Sequence, residues 1–186
     1  MPTETSTASL RSRLREATQT YHDKLDSAFD PEMLGDRETY AAFLACQLAA
    51  RAPIEAWARS ECPAALVPPP VTALLIEDLH DLGRPFSHRP RGFSLPAGAD
   101  PLGLAWVIAG SHLGNRFMLK RLQDAGSDLP NRFLSDPAMT AYWQALRPQL
   151  EAPSSEMSAR PAVEAAICTF RFFQRAFVQP IRKAAA

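Results

Sequence analysis

The chain has 186 residues, 46% of them hydrophobic, and balances 20 Lys and Arg against 20 Asp and Glu. That length suits one core better than two, and a charge sum of zero leaves no global field to draw nucleic acid or an anionic membrane surface. Cys46, Cys62 and Cys168 form no metal-ligand spacing, no apolar run is long enough to span a bilayer, and the polar opening MPTETSTAS lacks the apolar segment of a secretory signal, so free thiols and a cytoplasmic location are expected.

Residues 1–8 read as a flexible N-terminal tail and residues 9–183 as one folded domain. Ser9 to Phe29 carries Leu10, Leu14, Ala17, Tyr21, Leu25 and Ala28 at helical spacing, which makes one apolar stripe. His22 falls on its flank, with Arg11, Arg15, Thr18 and Asp26 projecting along the same side. An imidazole at the core edge, a carboxylate one turn on and arginines behind it have the parts of an oriented metal ligand beside an anion site. The same grouping also suits an ordinary amphipathic boundary.

Asp30-Pro31 ends this helix, and Gly35-Asp36 opens a second with Tyr40, Phe43, Leu44, Gln47 and Leu48 on one face. Pro53 is expected to kink or divide it, and Cys62 to Pro70 to form a loop. Val71, Leu74, Leu75, Leu79 and Leu82 mark a third helix with Gly83 as its stop. Its Glu77 and His80 form a single E-x-x-H, the spacing used by di-iron bundles, but such sites need a second copy and further carboxylates, so a solvent-facing pair is expected. Arg84 to Ala99, rich in Pro, Gly and Arg and holding an exposed His88, reads as a loop.

The stretch Asp100 to Gly126 reads as one long helix, capped by Asp100-Pro101 and closed by Lys120, Arg121 and Gly126. Each helix-interior glycine costs roughly 0.5–1 kcal/mol relative to alanine. Gly103, Gly110 and Gly114 therefore imply that something approaches the backbone closely, either a second helix or a flat ligand. Beyond it, Asp136-Pro137 starts a helix through Tyr142, Trp143 and Leu146 that is interrupted near Pro148. A final helix begins near Pro161 and ends at Pro180, with Val163, Ala166, Ile167, Phe170, Phe173 and Phe177 on its apolar face. About six helices, no period-two strand and no repeat put the chain in the all-α class. No Walker loop, dinucleotide fingerprint, zinc site or nucleophile elbow is present, so a bound cofactor is needed to supply chemistry.

Two segments carry a resemblance: LREATQTYHDKLDSAF, Leu14 to Phe29, and LGLAWVIAGSHLGNRFMLKRL, Leu102 to Leu122. Together they resemble the biliverdin-producing heme oxygenases, especially the short bacterial branch that includes those associated with bacteriophytochromes. The resemblance implies an all-α, single-domain helical bundle that clamps heme between a proximal helix and a kinked distal helix, and releases biliverdin, carbon monoxide and ferrous iron. Heme is both substrate and cofactor, with O₂ and an external electron donor such as ferredoxin or an NADPH-dependent reductase. A bacteriophytochrome is then the biliverdin acceptor.

Residue by residue, the resemblance makes His22 the proximal iron ligand, with Asp26 as its orienting carboxylate and Arg15 as a propionate partner. Arg116, Arg147 and Arg171 are further propionate candidates. Gly110, Ser111, Gly114 and Asn115 form the distal, oxygen-binding side. His112 projects away from that face and is not expected to touch iron. The chain departs from the family pattern at Trp106, Ala109 and Asn115. Asn115 either crowds the distal pocket or donates a hydrogen bond there, and the first outcome leaves a non-catalytic heme-binding or heme-sensing protein on the same fold as the alternative. A di-iron or other ligand on this fold is the third reading.

Overall fold

The structure, a computed structural model, describes residues 8–27, 35–84 and 92–184, with side chains to residue 177. Seven α-helices occupy these residues: α1 Leu10–Asp26, α2 Arg37–Glu61, α3 Thr72–Asp81, α4 Pro101–Asp124, α5 Arg132–Ser135, α6 Ala138–Leu150 and α7 Glu156–Ala184. A 3-10 turn at Ala64–Leu66 and one isolated antiparallel bridge, Ser9 to Pro153, complete the pattern. The fold is all-α, as the helical periodicity implies. His88 and the end of the first expected helix, Ala28 to Pro31, lie outside the described residues.

Capping follows local chemistry. The side chains of Ser9, Asp36 and Asp100 accept from backbone N–H groups in the first turns of α1, α2 and α4, with Pro101 at the start of α4. Gly126, at φ 64°, closes the turn after α4 in the left-handed conformation that favours glycine.

The prolines do not divide the helices in which they stand. Pro53 and Pro148 lie inside continuous helices, and α7 begins before Pro161 and runs past Pro180. A helix-interior proline costs about 3 kcal/mol. Burying one Leu or Ile side chain returns about 1.5–3 kcal/mol, and α2 buries Leu48 and Ile54 on either side of Pro53. Tertiary burial therefore outweighs the local penalty.

α7 is the hub, packing against α1, α2 and α4. Its first half buries the small Ala159, Ala162, Ala165 and Ala166, and its second half buries Phe170, Phe172, Phe173 and Phe177. The small half lets α4 cross closely: a Cβ on Gly103 would lie 1.8 Å from the Ala162 carbonyl oxygen. The aromatic half meets α1, where Phe170 packs edge-on against His22. Phe172 also meets Phe93 edge-on at 5.0 Å, and Phe93 meets Trp57 of α2 at 5.4 Å, which anchors the chain between α3 and α4.

α5 has no counterpart among the helices expected from sequence. It is held by Asp78 of α3, wholly buried, which accepts from the backbone N–H of Phe133 at 3.0 Å and of Arg132 at 3.2 Å. The Arg132 side chain adds contacts to Asp78, Asp81 and Glu77. Replacing Asp78 by alanine strands the Phe133 N–H in the core, a loss of about 1–3 kcal/mol. A Tm depression in Asp78→Ala, with little change in Glu77→Ala, checks this; equal effects would contradict it.

Candidate functional site

On α1, Leu10, Leu14 and Thr18 are buried, whereas Ala17 is exposed. Thr18 thus belongs to the core edge instead of the polar flank assigned to it, and its hydroxyl donates to the Leu14 carbonyl at 2.8 Å. The outer flank is the exposed set Arg15, His22 and Asp26. His22 Nδ1 lies 3.0 Å from Asp26 Oδ2, one turn on, with the two side chains 58% and 69% exposed. A pair this open contributes little stability. Its effect is orientational: occupying Nδ1 leaves Nε2 as the free ring nitrogen, the second-shell arrangement common to ligating histidines.

The imidazole meets Phe170 of α7 at 6.2 Å between centroids, and the same Phe170 ring meets Trp106 of α4 at 6.3 Å, both edge-on. One aromatic side chain therefore borders both segments singled out in the sequence. Their helices pack on α7 and make little contact with each other.

Further along α4, a Cβ built on Gly110 or Gly114 would meet no heavy atom within 4 Å among the described residues, outside the helix's own backbone. Leu113 and Phe117 beside them are 62% and 54% exposed. The glycines thus divide by role. Gly103 admits a helix, while Gly110 and Gly114 form an open strip flanked by exposed apolar side chains. Such a surface suits a flat apolar ligand.

Asn115 is buried, about 100° round the helix from Gly114. It sits on the packed side of α4 and does not fill the open strip. Ser111, half-buried at the strip's edge, donates to the Ile108 carbonyl at 2.7 Å and accepts from Arg51 Nη2 at 2.6 Å. His112 is buried, with Nε2 2.7 Å from the Thr140 hydroxyl of α6. Burial, with Arg116 nearby, holds its pKa below the ordinary value. It belongs to the α4–α6 contact.

Among the basic candidates, Arg171 donates to the Tyr21 hydroxyl at 3.1 Å and lies over that ring, next to Phe170 and one residue from His22 across the interface. Arg15 is exposed on the His22 flank and forms no ion pair among the described residues. Arg116 projects from nearly the opposite side of α4 to Gly114, and Arg147 is exposed on α6 beside Gln144. Neither joins the cluster.

Sequence reasoning missed Arg51. The signal was present: Gln47, Arg51 and Glu55 recur every fourth residue on a largely apolar helix, a polar ladder that must be satisfied internally. Glu77 and His80 are exposed as expected, at 59% and 83% for their side chains, and engage Arg132 and Asp81. No group of three or more His, Cys, Asp or Glu among the described residues could hold a metal ion, so the E-x-x-H is not joined by further ligands. No helix among these residues is long and apolar enough to cross a membrane.

This arrangement of helices is the heme oxygenase fold. One solved structure it resembles is that of the NO- and CO-bound heme oxygenase from Neisseria meningitidis, with a TM-score of 0.70 at 20% sequence identity, over 94% of this chain and 92% of that one. No family model and no curated protein matches the sequence.

Proposed function

We propose that residues 9–183 form a heme oxygenase that opens heme with O₂ and externally supplied electrons to biliverdin, carbon monoxide and ferrous iron. The observation that carries this reading is His22, its Nδ1 held by Asp26 and its ring joined through Phe170 to the α4 segment that leads into the open glycine strip. The similar Neisseria protein is a heme oxygenase that binds NO and CO.

The residues present fit heme. His22 would hold the iron through Nε2, Gly110 and Gly114 would leave room for a flat macrocycle, Leu113 and Phe117 would offer apolar contact, and Arg15 and Arg171 would offer cations for propionates. Heme supplies the oxygen chemistry when bound. The chain's own part is placement: Asp26 fixes the imidazole, the glycines keep side chains off the distal face, and Ser111 holds a hydroxyl at its edge. Burial of Asn115 favours turnover over the non-catalytic alternative, whose basis was a crowded distal side. We further infer a cytoplasmic setting, a ferredoxin or NADPH-dependent reductase as donor, and a place in the bacteriophytochrome-associated branch with biliverdin passing to that acceptor.

Titration of the purified chain with hemin tests the reading. A one-to-one complex with a shifted Soret band is expected, and its absence overturns the proposal. Asp26→Ala is expected to retain the complex with hemin affinity about tenfold lower, the lower end of what loss of an outer-shell partner costs. Unchanged affinity would remove Asp26 from the site.

A further inference from the structure

Arg51 of α2 is 2% exposed, yet among the described residues no carboxylate forms an ion pair with it. Nε donates to Gln47 Oε1 at 2.9 Å and Nη2 to Ser111 Oγ at 2.6 Å. The guanidinium lies 5.1 Å from the Phe133 centroid and 5.8 Å from that of Phe173. The acid one turn on, Glu55, is committed elsewhere. Its Oε1 accepts from the Val71 and Thr72 N–H groups at 2.8 and 3.1 Å, and its Oε2 accepts from the Thr72 hydroxyl at 2.6 Å.

Burial pulls the pKa of Arg51 down to about 10, with Glu55 opposing, so the group remains a cation at neutral pH. A buried cation without a contacting anion is costly, and an apolar side chain of similar volume would fill the space at less cost. The charge is directed at one hydroxyl on the edge of the open strip of α4. Ser111 Oγ accepts from Arg51 and sends its own proton to the Ile108 carbonyl. Arg51 polarises that hydroxyl, which becomes a stronger donor when it turns from Ile108 towards an anion on the strip.

We propose that Arg51 is a positioning residue which, acting through Ser111, selects anionic over neutral ligands at the Gly110–Gly114 face. The inference rests on that face being the distal side of bound heme. It concerns charge placement from beneath the helix, a role distinct from that of any group on the strip itself.

The test compares hemin complexes of the wild type, Arg51→Met, Arg51→Lys and Ser111→Ala at one neutral pH. Azide binding to the ferric complex is followed spectroscopically beside carbon monoxide binding to the reduced one. Arg51→Met is expected to lower azide affinity on the order of tenfold, as befits loss of a nearby unit charge in a partly buried site. Carbon monoxide affinity should stay within about twofold, since a neutral ligand does not feel that charge. Arg51→Lys should restore most of the azide affinity, and Ser111→Ala should reproduce the azide-selective loss. If Arg51→Met does not fold, the Arg51→Lys and Ser111→Ala complexes still decide: no azide-selective loss in Ser111→Ala overturns the proposal. Equal loss for both ligands in Arg51→Met assigns Arg51 a purely structural role and also overturns it. Failure of the wild type to bind hemin overturns the functional reading and this inference together, whereas hemin binding with azide affinity indifferent to Arg51 overturns this inference alone.

Discussion

Gly103→Ala is expected to destabilise the fold, while Gly114→Ala, the same substitution eleven positions along the same helix, is expected to stabilise it. At Gly103 the new Cβ would sit 1.8 Å from the Ala162 oxygen, 2.7 Å from the Ala162 carbonyl carbon and 3.0 Å from the Ala166 nitrogen, all backbone atoms that cannot rotate away. Overpacking typically costs about 1–3 kcal/mol, and a backbone clash belongs at the upper end. The helix-propensity gain of roughly 0.5–1 kcal/mol does not offset it. The net loss lowers Tm by roughly 4–10 °C for a chain of this size.

At Gly114 nothing stands within 4 Å of the Cβ, so the propensity gain remains and Tm rises by roughly 1–4 °C. Thermal unfolding of the two variants measures this directly. Equal shifts of one sign would contradict the division of the glycines into a helix crossing and an open strip. A larger side chain, Gly110→Leu, should leave folding intact but weaken hemin binding.

His22→Ala is the second large effect. The imidazole is exposed and its ion pair with Asp26 is open to water, so the variant should unfold within about 0.5 kcal/mol of the wild type. Hemin affinity should nevertheless fall by more than the 10–100-fold that loss of an outer-shell partner costs, because the ligand itself is gone. The axial-ligand signature should disappear and return with added imidazole, which supplies the missing donor. A His22→Ala complex with the wild-type spectrum would assign ligation to another residue. His112 could not substitute without leaving Thr140 and the α4–α6 contact.

The helical class and the cap positions were legible in the sequence because they depend on local periodicity and capping chemistry, whereas the two segments of the candidate site were assigned through their resemblance to a known family. The function of each glycine was not legible. Gly103 and Gly114 each follow a leucine within α4, and the backbone of α7 at Ala162 and Ala166 crowds only the first. The prolines misled for a related reason: a local penalty near 3 kcal/mol is decided by burial that other segments provide. Leu48 and Ile54 supply it in α2.

Long-range pairing explains the other differences. α5 is a single turn fixed by Asp78 of α3, so no periodic signal announced it. Arg51 looked like one charge among many until the fold placed it beneath Ser111. Asn115 appeared as a threat to the distal side when its neighbours were known only by number, and burial put it on the packed face, about 100° round from Gly114. α4 holds the glycines that stood out in the sequence, but α7 is the element on which α1, α2 and α4 are assembled.

Whether this chain consumes heme as well as binding it is read from one spectrum followed in time: the hemin complex mixed with a reductase or ferredoxin system in air. Decay of the Soret band is expected, with matching growth of biliverdin absorption and release of ferrous iron. A Soret band that shifts on reduction and then persists, with no biliverdin formed, would contradict heme consumption and leave a heme-binding protein on this fold.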